Sequence, residues 1–189
     1  MTSFVFIRHG QTDANQKGQF AGKTDDGLNP NGILQSQEAA KQLKGQFFDA
    51  VFCGNTKRVL QTFEIIRNSI LFPNDRLYFT DDIREIDFGD WEGMSADEIS
   101  AAYGQKWQEY MDDWSKFTFP NGEGNGDYFA HCSRFIRDAA KGFPGRKIAV
   151  FGHKGFILAC ACALRGLPIS HMFDAEIENG AIFLVNIAD

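Results

Sequence analysis

Phe4-Val5-Phe6-Ile7-Arg8-His9-Gly10-Gln11-Thr12 is the stretch from which the architecture is read. Four consecutive apolar residues, followed at once by polar residues and a glycine, describe a short strand buried on both faces that ends in a turn. Ala50-Val51-Phe52-Cys53, Ile148-Ala149-Val150-Phe151 and Ala181-Ile182-Phe183-Leu184-Val185 have the same character. Helical patterns separate these runs. Asn29 before Pro30 reads as a cap with proline in the first turn, opening a helix that carries Ile33, Leu34, Ala40 and Leu43 and stops near Gly45. Val59, Leu60, Phe63, Ile66 and Ile70 fall at helical spacing and predict a helix from Thr56 to Ile70. Ser95-Ala96-Asp97-Glu98 has the spacing of a capping box, and a further helix is predicted from Gly126 to Lys141. Strands alternating with helices predict an α/β three-layer sandwich, a mostly parallel central sheet with helices on both faces. Ligands in such folds bind beyond the carboxyl ends of the strands.

Composition fits that picture. The chain has 189 residues, of which 43% are hydrophobic and 23% charged, enough for a buried core without a disulfide scaffold. No repeat, low-complexity tract or linker divides it, so residues 1–189 are read as one domain. Nineteen phenylalanines predict an aromatic-rich core. Nineteen basic against 25 acidic residues give a net charge of −6, which argues against nucleic-acid or anionic-membrane partners. The longest apolar run, Phe156 to Leu164, is too short to span a bilayer, and Met1-Thr2-Ser3-Phe4 does not begin a secretory signal. The expectation is a cytoplasmic protein. Cys53, Cys132, Cys160 and Cys162 lack metal or redox spacing and are expected to be reduced, mostly buried thiols.

Chemistry-bearing residues gather at the strand ends. The first strand runs into Arg8-His9-Gly10, and the strand at Ile148 runs into Gly152-His153-Lys154-Gly155. Glycine in these turns lets backbone N–H groups approach an anion. Lys57-Arg58 opens a helix, where a cation opposes the macrodipole unless an anion is bound there. Asp81 to Gly93 is too rich in carboxylates and turn residues for a regular element. Glu85 in this segment is a candidate general acid, partly buried and with a raised pKa, but spacing does not separate it from Asp87 or Glu92. His131 and His171 lie away from the strand exits and are read as surface or packing residues.

Arg8-His9-Gly10 through Asn15, the Phe20–Leu28 loop, Thr56-Lys57-Arg58-Val59-Leu60-Gln61-Thr62, Arg84 to Gly93 and His153 together resemble the histidine phosphatase superfamily, the phosphoglycerate-mutase-like group. The resemblance runs from residue 4 to the last strand. It implies metal-independent hydrolysis of a small phosphate monoester through a phosphohistidine on His9. In that scheme Arg8, Asn15, Arg58 and His153 hold the phosphoryl oxygens, with Gly22 in the phosphate loop and Lys154 as an added cation, at the phosphate or for a second acidic group, and Glu85 protonates the leaving group. No cofactor is implied, and the ligand is a small molecule met by a monomer or homodimer. Two alternatives are a phosphoglycerate mutase, which would need a bisphosphate primer, and a non-catalytic anion-binding module. A metal hydrolase built on His9, His153 and Glu85 lacks a third ligand at metal spacing. The sequence departs from the family pattern where Lys154 follows the second histidine and where Gly124 replaces a hydroxyl residue.

In this family the segment from 92 to 128 covers the pocket as a lid-like insertion. It holds Tyr103, Trp107, Tyr110, Met111 and Trp114 at helical spacing. These are read first as a helix face packed on the core, and otherwise as pocket-lining aromatics, with Gly122, Gly124 and Gly126 giving mobility.

Overall fold

A computed structural model describes residues 1–188. Strand β1 (Thr2–Arg8) buries Phe4 and Phe6 on one face and Val5 and Ile7 on the other, because successive side chains of a strand alternate. The neighbouring strands β2 (Ala50–Gly54) and β4 (Lys147–Gly152) do the same: Ala50, Ile148 and Val150 join the first core, Val51, Cys53, Ala149 and Phe151 the second. Helices α2 (Pro30–Gln42) and α3 (Lys57–Ile66) cover the second face; α6 (Asn125–Gly142) and α7 (Lys154–Leu164) cover the first. At roughly 1.5–3 kcal/mol for each large apolar side chain buried, the four in β1 anchor the strand leading to His9 more firmly than one hydrogen bond at about 1 kcal/mol.

With β3 (Leu77–Thr80) and β5 (Ile182–Ile187), the sheet order is β3-β2-β4-β1-β5; β1, β2, β3 and β4 are parallel and β5 is antiparallel to β1. β3 is absent from the sequence-based expectation. It is a four-residue edge strand with Tyr78 and Phe79 exposed, so it has no buried run to announce it. Helix starts follow the sequence closely. Asn29 Oδ1 accepts the Gly32 N–H at 2.8 Å with Pro30 in the first turn, and Ser95 and Glu98 cap each other's backbone reciprocally. Helix α3 stops at Ile66 rather than Ile70, and a 3₁₀ turn, Arg67–Ser69, completes the segment. All four cysteines are buried and free. Among the described residues no helix is long and apolar enough to cross a membrane.

The aromatic stretch after Trp91 is broken into α4 (Ala96–Ala102) and α5 (Gly104–Asp112). Trp107 and Tyr110 pack on the fully buried Trp91 at ring-centroid distances of 5.7 and 5.6 Å, whereas Met111 is exposed. Gly122 is not a free hinge, since a Cβ there would lie 2.5 Å from the Asp87 carbonyl oxygen.

Candidate active site

Parallel pairing aligns Arg8 of β1 with Gly152 of β4, so the residues that follow, His9 and His153, come side by side at the carboxyl edge of the sheet. Their ring centroids are 5.2 Å apart. Hydrogen bonding fixes both tautomers. The Gly10 carbonyl can only accept, so His9 Nδ1 donates to it at 2.7 Å and Nε2 keeps its lone pair. Arg58 Nε can only donate, so His153 Nδ1 accepts from it at 3.3 Å, and neutral His153 carries its proton on Nε2, 3.2 Å from Thr56 Oγ1. The two histidines thus present a bare nitrogen and an N–H donor.

Arg58 is 1% exposed. Besides His153, its guanidinium donates to the carbonyls of Ala21 (3.2 Å), Gly22 (2.8 Å) and Thr24. It therefore ties the 21–24 loop to the start of α3, with one Nη1 hydrogen left over from its five. Arg8 donates to the Ile177 carbonyl at 2.6 Å, and its Nε is buried without a partner. Asn15 Oδ1 accepts from the Thr12 backbone and from Asn179 Nδ2, which leaves the Asn15 amide hydrogens free.

The structure separates the three carboxylates that the sequence left open. Glu92 accepts from the backbone N–H groups of Gly22, Lys23 and Phe88, and Asp87 pairs with Lys23. Glu85 alone of the three lines a cavity of about 390 Å³, together with Arg8, Asn15, Lys154 and Asn179; His9 and His153, both buried, are not among the residues that line it. Its Oε1 accepts from Ile86 N–H (3.1 Å) and lies 3.0 Å from Tyr128 Oη; its Oε2 accepts from Gly155 N–H (3.0 Å). A Cβ at Gly155 would stand 2.2 Å from Glu85 Oε1, so any larger residue there would push the carboxylate from its place. The expected phosphate contact from Gly22 is not made available, because its N–H is engaged by Glu92. Lys154 does line the cavity, and no hydrogen bond or ion pair among the described residues holds its side chain. His131 donates to the Asp82 carbonyl and His171 pairs with Asp174, and neither lines the cavity.

Two contributors were missed in the sequence. Asn179 donates to the His9 carbonyl and to Asn15, and Tyr128 braces Glu85. Asn179 precedes Gly180 in a polar turn before β5, but nothing in the sequence says that β5 runs antiparallel and so begins where β1 ends.

A model of the histidine phosphatase superfamily (branch 1) matches residues 4–189. The chain belongs to the histidine phosphatase superfamily. As such it is an enzyme of the phosphatase type. Adenosylcobalamin/alpha-ribazole phosphatase of Escherichia coli is 26% identical over 96% of this chain and 88% of its own length. A 2,3-bisphosphoglycerate-dependent phosphoglycerate mutase of Beijerinckia indica is 29% identical over 93% of this chain and 87% of its own. The alpha-ribazole phosphatase structure from Shigella flexneri superposes with a TM-score of 0.87 at 25% identity, over 98% of this chain and 91% of that one.

Electrostatics bear on both histidines of this histidine phosphatase. Burial is the largest cause holding His9 well below the usual imidazole range, then Arg58; the Gly10 hydrogen bond opposes and Arg8 adds a little. For His153 the causes are burial, then Arg58, His9 and Arg8. The sign for stability follows. Unfolded histidines take up protons near pH 6.5 while the folded ones stay neutral, so acid favours unfolding below about pH 6.5, by roughly 1.4 kcal/mol per pH unit for each histidine. Urea unfolding at about pH 7 and about pH 5.5 should show this loss, and His153→Asn should flatten it. An unchanged slope in that variant would remove His153 as a cause.

Proposed function

We propose that this chain hydrolyses a small phosphate monoester by way of a phosphohistidine at His9, with no metal and no cofactor taking part. The observation that carries the reading is the pair of fixed tautomers: a bare Nε2 on His9 beside an N–H donor on His153. His9 Nε2 attacks phosphorus and the ester P–O bond breaks. Glu85, in its acid form, gives its proton to the departing oxygen. Water then attacks the phosphohistidine, Glu85 takes the water proton, and phosphate leaves with His9 restored. Arg8, through its unpartnered Nε, the Asn15 amide and Lys154 meet the phosphoryl oxygens, while His153 packs beside His9 with its Nε2–H directed to Thr56 Oγ1. Charge on those oxygens is met by donors already in place, which is where most of the rate arises. Arg58 acts mainly by holding His153 and the 21–24 loop. Residues 92–128 form one wall of the site through Tyr110, Phe119 and Asn125.

The test is a ³²P-labelled phosphate ester quenched in alkaline detergent, where phosphohistidine survives. Label is expected on the native chain and absent from His9→Ala, with turnover unaffected by chelator. Turnover without label, or loss of turnover in chelator, overturns the reading.

Glu85→Gln is expected to lower kcat by about 10²–10⁴ for alkyl phosphates but less than about tenfold for p-nitrophenyl phosphate, whose leaving group needs little protonation. Equal losses for both would remove Glu85 from the acid role. A mutase reading is favoured by one observation, the Beijerinckia relative. It calls for isomerisation of 3-phosphoglycerate in the presence of a bisphosphate primer, and product analysis separates it from release of phosphate.

A further inference from the structure

Beyond Glu85 and Arg8 the cavity changes character. Phe20, Phe88, Tyr110, Phe119, Met172 and Phe173 form its far wall. The rings are not loose. Phe20 meets Phe88 edge to face at 5.0 Å and Tyr110 at 6.5 Å, Phe88 meets Phe119 at 5.0 Å, and Phe119 and Tyr110 both rest on the buried Trp91. Phe173, half exposed, closes the rim against Trp114 at 4.6 Å. A wall whose rings are fixed by other rings keeps its apolar surface open to the cavity without rearrangement. The cations that line the cavity are Arg8 and Lys154, chain neighbours of His9 and His153. None of the six residues of that wall carries a charge.

From this we propose that the ligand is the phosphate monoester of a neutral alcohol carrying a large apolar, ring-bearing group, which lies against the Phe20–Phe88–Phe119–Tyr110 wall while the phosphate meets Arg8. Small acidic esters are poorer ligands, because a carboxylate lying against the rings would shed water among wall residues that carry no charge. The proposal deepens the phosphatase reading above and rests on it for the placing of the phosphate.

Binding can be measured apart from turnover, using phosphonates that cannot be hydrolysed. Calorimetry on the native chain would compare 3-phenylpropylphosphonate, propylphosphonate and 4-phosphonobutyrate, which share a three-carbon stem. The phenyl compound is expected to bind about tenfold to hundredfold tighter than the propyl compound, the range for burying one phenyl side chain. The carboxylate is expected to bind no better than propyl. In Phe173→Ala, a change at the exposed rim, the phenyl advantage should shrink several-fold. Equal affinity for phenyl and propyl, or tightest binding of the carboxylate, overturns the proposal. Turnover of 2-phenylethyl phosphate is read in parallel. Phenyl preference with no turnover would leave the ligand class standing and overturn the phosphatase reading.

Discussion

His9→Ala is expected to lower kcat for any phosphate ester by about 10⁴-fold or more, the scale on which loss of a covalent nucleophile is felt. The reason is specific to its geometry. His9 Nε2 is the one bare imidazole nitrogen of the pair, and no cysteine can stand in, since all four thiols are buried. Folding should survive. The change leaves the Gly10 carbonyl without its donor and opens a small void, together costing about 1–3 kcal/mol. Rates should therefore be read well below the variant's unfolding midpoint, with circular dichroism as the check. A variant that keeps more than about a hundredth of native turnover would show that the phosphoryl group does not pass through His9.

Arg58→Ala is expected to damage activity and stability together. One guanidinium serves three loop carbonyls and His153 Nδ1, at 1% exposure. Each buried acceptor left unpaired costs about 1–3 kcal/mol, less whatever water recovers, so a loss of roughly 3–5 kcal/mol is expected in urea unfolding. Without the Arg58 donor, the His153 proton is free to move to Nδ1, and the 21–24 loop loses its tie to α3. A fall in kcat of at least about 10³ is expected in the fraction that remains folded. Arg58→Lys should restore little, because an ammonium is a point donor and cannot span Nδ1 and three carbonyls in one plane. Full activity in the lysine variant would reduce Arg58 to a simple positive charge.

Much of the fold is written locally. β1, β2 and β4 are continuous apolar runs, Asn29-Pro30 and Ser95–Glu98 are caps, and each signal needs only its own neighbours. β3 escaped because an exposed edge strand buries too little to leave a pattern, and the direction of β5 escaped because strand polarity is a property of pairing. The aromatics at 103–114 answered to both readings. Tyr103, Trp107 and Tyr110 pack on Trp91, Trp114 packs on Phe173, and Tyr110 also faces the cavity.

For the site, sequence alone determined which residue types end the strands: Arg8-His9-Gly10 at the exit of β1, His153 after β4 and Arg58 at the head of α3. Strand exits in a parallel sheet converge, so position in sequence carried position in space. Tertiary structure alone decided which carboxylate faces the cavity. Glu85, Asp87 and Glu92 lie within eight residues of one another, and only their backbone and side-chain partners, Gly155 and Tyr128 for Glu85, Lys23 for Asp87, the loop amides for Glu92, distinguish them. Those partners come from distant parts of the chain. A residue's chemistry is fixed by its own atoms, but its protonation, orientation and access are fixed by neighbours that folding supplies.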